Sequence, residues 1–297
     1  MGDIHQKARI CPKKDVRAML LHCANVGRGM VALLTFALCL SPPARPAVGA
    51  AHRPPPNRPS PSAAKAEAAP ADAEGPGIRR VATQEKVVAL TLDDGPDPKY
   101  TPMVLDLARK RHIALTFFVT GEHVRRYPRL ARRIRREGHA LGNHTWSHAM
   151  LPGRSEAEDA AEMEACGVEI EGVCGERARL FRPPKGQLDE NVCRAAASLG
   201  YTVVLWSIAV ESHHASTPQQ MAERVVQRVQ PGAIILAHDG RRYERVSRDK
   251  TMAALPILVE ALRKQGYRFV TVPQLLALGS ERPTTPAPNH EDARGAS

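Results

Sequence analysis

The stretch KVVALTLDDGPDPKYTPMVLDLARKRH, residues 86–112, changes character twice. Lys86–Leu92 is a short aliphatic run of the kind that forms a buried strand. Asp93 and Asp94 close it, and Gly95 and Pro96 suit a tight turn. Thr101 then opens a helical pattern with Pro102 in its first turn, where a missing N–H costs nothing. A strand passes into a helix through an acidic turn, which makes one βα unit. Side-by-side carboxylates repel each other, so this pair is either a solvated turn or two groups with separate work.

The alternation continues along the chain. ALTFFVT (114–120), HALGNHT (139–145), RLFRPP (179–184), YTVVLWSI (201–208), AIILAHD (233–239) and YRFVTV (267–272) read as further strands. Helical patterns fill 122–138, 155–175, 189–200, 217–232 and 250–266. Ser155 and Asp189 are the N-caps of two of them, and Gly138 and Gly200 are stop signals. Seven strands alternating with helices predict an α/β protein with a parallel sheet, as a distorted, incomplete (β/α) barrel rather than an open doubly wound sheet. The unusual polar residues fall just past strand ends: Asp93 and Asp94 after the first, His144 and His148 after the third, Arg182 after the fourth, His238 and Asp239 after the sixth. In a parallel barrel those ends share the face on which active sites are built.

Composition sets the surroundings of that domain. The 297 residues are 43% hydrophobic and 25% charged, ordinary for one large domain, here about 81–279. Met30–Leu40 is a short apolar run behind Lys13, Lys14, Arg17 and Arg28 and ahead of the small-residue stretch AVGAAH. Residues 1–50 therefore read as an N-terminal extension with a secretory signal peptide, or a single anchor, and the protein is expected to be exported. Residues 51–80 form a Pro/Ala-rich linker, and 280–297 a disordered tail. The formal charge of +11 is concentrated in RRYPRLARRIRREGH (125–139). Leu130 and Ile134 recur there at i, i+4, which describes a solvated amphipathic helix. With five Phe and five Tyr in the chain there is no aromatic platform for bases. Nucleic acid is thus set aside, and the charge is assigned to attraction toward an anionic cell envelope. Cys166, Cys174 and Cys193 would remain after export, and one disulfide plus a free thiol is the arithmetic expectation.

HTWSH places His144 and His148 at i, i+4, with both imidazoles on one side of a helix or tight loop. The pattern is common by chance and holds no Glu between the histidines, so a third ligand and a base must come from elsewhere. The Asp pair supplies both. One carboxylate completes a three-ligand site with room for water, and its neighbour takes the water's proton. A cation there favours ionisation of both acids.

In order, TLDDGPDPKYTPMVLDLARK (91–110), GNHTWSH (142–148), FRPPKG (181–186) and IILAHD (234–239) resemble the motifs of the polysaccharide deacetylases, the NodB homology domain or carbohydrate esterase family four. The resemblance covers about residues 85–275. It implies a distorted barrel of parallel strands and removal of acetyl groups from sugars. The usual substrates are N-acetylglucosamine polymers such as peptidoglycan, chitin oligosaccharide or an exopolysaccharide. It also implies a divalent metal, zinc first, with cobalt or another divalent ion as the alternative. Asp93 then resembles the general base, and Asp94, His144 and His148 the metal ligands. Arg182 resembles the partner of the base, the Lys185 backbone N–H an oxyanion donor, and His238 the acid for the leaving amine. Leu236 would line the acetyl pocket, and Trp206 stands on the substrate side.

Two positions depart from that pattern. Lys185 stands where the family usually has Tyr, although a backbone amide survives this change. In LWSIAVESHH (205–214) the family typically has Asp at the positions of Ala209 and Ser212, and Trp at that of His213. One of those acids normally supports the catalytic histidine, so Glu211 or Asp239 would have to take over. The alternative function is an exported metal-containing carbohydrate-binding module with weak or no catalysis. A facial-triad iron oxygenase is opposed by the missing HxD pair and the parallel βα pattern.

Overall fold

The computed structural model describes residues 76–240 and 246–280. The expected export segment, the expected linker up to residue 75 and the expected tail from 281 lie outside the described residues. No helix among the described residues is long and apolar enough to cross a membrane.

The run quoted above becomes β1 (Val87–Asp93), and all seven of its residues are buried. A strand covered on both faces reads as continuous apolar sequence rather than as alternation. It pairs in parallel with β2 (Thr116–Val119) on one side and β7 (Ala233–His238) on the other. β3 (Ala140–Asn143), β4 (Leu180–Phe181) and β5 (Thr202–Val203) extend the sheet beyond β2, and β6 (Ile208–Ala209) lies beyond β7. The path is β5-β4-β3-β2-β1-β7-β6, all parallel, with β8 (Arg268–Phe269) beside the start of β1. It is a curled half-barrel wrapped by helices, as the alternation of the sequence implies. Those helices are α1 (Tyr100–Arg111), α2 (Gly121–Arg126), α3 (Pro128–Arg136), α4 (Glu156–Cys174), α5 (Glu190–Ser198), α6 (Pro218–Arg228), α7 (Asp249–Lys264) and α8 (Val272–Ser280). Residues ahead of 81 already join the sheet, because Ile78 donates to the carbonyl of Val203.

Strand parity decides what points inward. Val88, Leu90 and Leu92 pack into the large core against α1 and α7, whereas Val87 and Ala89 belong to a smaller cluster with Ile234 and with Val272 and Leu275 of α8. Alternate residues of a strand share a face. Thr91 and Asp93 therefore continue the inner face of β1, and Leu236 and His238 that of β7. Asp93 and His238 are register partners at the ends of their strands.

Four readings change. The strand expected over 201–208 is two strands, β5 and β6, at opposite ends of the sheet, and the four residues between them carry the chain across the half-barrel. The carbonyls of Val204 and Leu205 turn instead to the Arg182 guanidinium, at 3.1 and 2.9 Å. The helix expected over 122–138 breaks at Tyr127, whose φ of −129° and ψ of 55° are not helical. Pro128 disfavours a helical residue before it and then starts α3. Helix α8 was not expected at all. Lastly, Cys166, Cys174 and Cys193 are free thiols, so the expected disulfide is not formed. Cys166 and Cys174 share one helix, where eight residues span about 12 Å, beyond the reach of a disulfide.

Arg182 has no solvent exposure, and besides those carbonyls it donates to Thr91 Oγ1 at 2.8 Å and Asp93 Oδ1 at 2.6 Å. Replacing it by leucine would leave the Asp93 carboxylate buried without its counter-ion. Arg182→Leu is expected to lose about 3–5 kcal/mol of stability. Urea unfolding followed by circular dichroism checks this, and a loss below about 1 kcal/mol would contradict a structural role for the pair.

Candidate active site

A pocket of about 270 Å³ opens where the inner faces of β1 and β7 end. Asp93, Asp94, His144, His148, Lys185, Trp206, Leu236 and His238 all line it, together with Val246. Arg182 lies beneath, bonded to Asp93 and 4.0 Å from the Phe118 ring. Burial pushes its pKa down, and the charge of Asp93 opposes that.

The backbone explains why the two adjacent aspartates diverge. Asp93 keeps the inward direction of its strand, while Asp94 has a φ of 73°, in the left-handed region, and aims elsewhere. Asp94 Oδ1 lies 3.5 Å from His144 Nε2 and 3.2 Å from His148 Nε2. His144 Nδ1–H donates to the carbonyl of Arg182 at 2.7 Å, a backbone bond that fixes the ring and turns Nε2 toward the carboxylate. His148 reaches the same point from a loop, not a helix, through φ values of 67° at Thr145 and 58° at His148. That loop is held by Asn143 Oδ1, which accepts from Thr145 N, and by Glu162, which accepts from Ser147 N and Oγ. Burial pushes the Asp94 carboxyl up, but the neighbouring imidazoles outweigh it and hold the group well below its ordinary range.

One atom each from Asp94, His144 and His148 lies within 4.8 Å of the others. Asp94 Oδ1, at their centre, is buried without a hydrogen-bond partner. Two imidazole nitrogens and an ionised carboxylate oxygen facing one another suit a divalent cation, with nitrogen and oxygen donors of the type that zinc accepts.

Across the pocket, His238 Nδ1 lies 3.4 Å from Glu211 Oε1. The same oxygen accepts from the His238 backbone N–H at 3.2 Å and from Thr251 Oγ1 at 2.8 Å. Burial lowers the pKa of His238, but the charge and contact of Glu211 overcome it and raise the group to about 9. Glu211 in turn is raised by burial and brought below its ordinary value by His238. Of the two acids expected as stand-ins, Glu211 is therefore the one facing the histidine. Asp239 points under the Asp93–Gly95 turn, where Oδ2 accepts from Thr101 Oγ1 at 2.5 Å, and burial raises it to about 7. A Cβ on Gly95 would come within 2.6 Å of Asp239 Oδ1, which explains the glycine there.

Lys185 has a φ of 58° between Pro184 and Gly186, and the ring of Trp206 packs on Gly186. His213 and His214 are exposed loop residues that do not line the pocket. Arg248, outside every motif above, also reaches the site and donates from Nη2 to Asp94 Oδ2 at 3.0 Å. Its charge-rich surroundings in the sequence gave no pattern that would reveal it.

The polysaccharide deacetylase family model matches residues 80–204. The chain is 39% identical over 199 residues to a peptidoglycan-N-acetylglucosamine deacetylase of Bacillus cereus, covering 66% of this chain and 91% of that relative. Among solved structures it is similar to the Bc1960 peptidoglycan N-acetylglucosamine deacetylase in complex with 4-naphthalen-1-yl-N-oxidanyl-benzamide. There the TM-score is 0.63 and the identity 30%, over 67% of this chain and 91% of that one. It is also similar to BA3943, a CE4 family pseudoenzyme from Bacillus anthracis, with a TM-score of 0.62 and 26% identity over 68% of this chain and 69% of that one. With this fold, these motifs in this order and these relatives, the chain belongs to the polysaccharide deacetylase family and is a hydrolase of that family.

Proposed function

We propose that the protein removes acetyl groups from the N-acetylglucosamine units of an exported polymer, peptidoglycan first, with a divalent metal held by Asp94, His144 and His148. The observation that carries this reading is the pairing of Asp93 with His238 at the ends of adjacent strands, each beside its own counter-charge and both lining one pocket with the ligand triad. The choice of peptidoglycan leans on the 39% identical relative. Export leans on the apolar segment Met30–Leu40, and the net charge of +11 suits an anionic envelope.

Asp94, His144 and His148 would hold a divalent cation, which would supply Lewis acidity to the acetyl carbonyl and to water. Asp93, with Oδ1 held by Arg182, accepts the proton of the attacking water. The backbone N–H of Lys185 donates to the carbonyl oxygen as it gains negative charge. Leu236 and Trp206 wall the space beside the acetyl methyl and the sugar. His238, kept protonated by Glu211, gives its proton to the departing amine nitrogen. The sugar is released as a free amine with acetate as the second product.

Because one structural neighbour is a pseudoenzyme, the test is set against a carbohydrate-binding module without turnover. Acetate release from peptidoglycan and from acetylated chitooligosaccharide, with and without chelator, separates the two. The enzyme reading expects release that the chelator stops and that Asp93→Asn reduces by about 10²–10⁴-fold, the usual size of a general-base contribution. Wild-type protein that binds either polymer yet releases no acetate would establish the module instead.

The acid step makes a second prediction. Because His238 is raised to about 9, the proton donor is present at neutral pH and kcat/KM falls as pH rises through about 9. Glu211→Gln removes the negative partner that favours the imidazolium, so the alkaline limb moves down toward the ordinary histidine value of 6.5. The pH–rate profiles of wild type and variant measure this. An alkaline limb at the same pH in both would show that Glu211 does not support the proton donor.

A further inference from the structure

We propose that Arg248 is a positioning residue of the metal centre, holding Asp94 so that a single carboxylate oxygen faces His144 and His148. This rests on the metal site proposed above.

Arg248 immediately precedes α7 and is mostly buried, with its side chain 16% exposed. Nε donates to the carbonyl of Gly240 at 2.9 Å, and Nη2 donates to Asp94 Oδ2 at 3.0 Å. One planar group thus bridges the turn after β1 and the turn after β7. Those turns meet closely: a Cβ on Gly240 would lie 2.0 Å from the carbonyl carbon of Asp94. The Asp94 carbonyl is itself 2.7 Å from His123 Nδ1. Asp94 is therefore gripped by its backbone oxygen and by Oδ2, and Oδ1 alone stays free to face the two imidazoles.

By charge alone, an arginine beside a cation site weakens the site, because like charges repel. Its presence calls for a geometric return. With Oδ2 engaged by the guanidinium, Asp94 offers one oxygen instead of two, and the coordination positions that water and an acetyl oxygen need are not taken by the carboxylate. Outer-shell partners that orient a ligand typically contribute 10–100-fold to metal affinity or activity.

Charge and geometry predict opposite results, which makes the proposal testable. Full-length protein, stripped of metal, is titrated with zinc against a chromophoric chelator, using wild type, Arg248→Ala and Arg248→Lys. Both variants are expected to bind zinc about 10–100-fold more weakly. Lysine is expected to fail because its ammonium is a single point of charge on a flexible stem, without the rigid planar fork whose separate nitrogens reach Gly240 and Asp94. The visible spectrum of the cobalt-loaded protein is expected to change in both variants, reporting an altered ligand set. Zinc affinity equal to or tighter than wild type in either variant, or unchanged cobalt spectra, overturns the proposal. Should Arg248→Ala not fold, Arg248→Lys decides alone. A lowered melting temperature with unchanged affinity and spectrum would mark Arg248 as a loop tether and also overturn it. A His144→Ala/His148→Ala variant that binds zinc like wild type would defeat the metal site itself, whereas failure of the Arg248 variants alone leaves that site standing.

Discussion

An arginine without solvent exposure is tolerable only when its donors are answered, since an isolated buried charge costs several kcal/mol. Arg182 meets that condition with Asp93, Thr91 and the carbonyls of Val204 and Leu205. Those last two carbonyls are available because the chain leaves β5 there and crosses to the far edge of the sheet. The closure of the half-barrel and the placement of Asp93 are thus one arrangement seen from two sides. The carbonyl of Arg182 also fixes His144, so the same residue positions Asp93 with its side chain and a metal-ligand candidate with its backbone.

Around that pair the pocket is organised by local neutralisation. Asp93 has Arg182, Asp94 has Arg248, and His238 has Glu211. Charges fixed in this way need little reorganisation when a substrate's own charge develops, the property that makes preorganised polar sites effective. The third pair is made by a residue outside the two positions at which the resemblance leads one to expect an acid. Acids are absent at 209 and 212, yet Glu211 reaches the histidine from the segment after β6, and Thr251 of α7 steadies its carboxylate.

Much of this was legible in the sequence because strand and helix periods are local properties. The apolar run at 86–92 identified β1, and alternation of strands with helices implied the common face on which Asp93, His144, Arg182 and His238 meet. What escaped depends on partners distant in the chain. Nothing in YTVVLWSI shows that its middle carbonyls turn to an arginine 22 and 23 residues earlier. Choosing between Glu211 and Asp239 needed the direction in which each side chain leaves its turn, and Arg248 belongs to no periodic element at all. Helix α8 is hidden because its start, Val272, also ends the strand-like run YRFVTV. The break at Tyr127 was the exception, since Pro128 was a local signal that the smooth amphipathic pattern around it obscured.

Asp94, Thr145, His148 and Lys185 all hold left-handed backbone angles without being glycine. Each such residue costs about 1–3 kcal/mol relative to a relaxed chain, and all four stand in or beside the pocket. Glycine would relieve that cost at every one of them, while removing a carboxylate at 94 and an imidazole at 148. At 94 and 148, selection for folding robustness and selection for turnover therefore pull in opposite directions. The region where the fold is least comfortable is also the region it can least afford to relax, so variants chosen for heat resistance alone would drift toward a well-folded and chemically silent barrel.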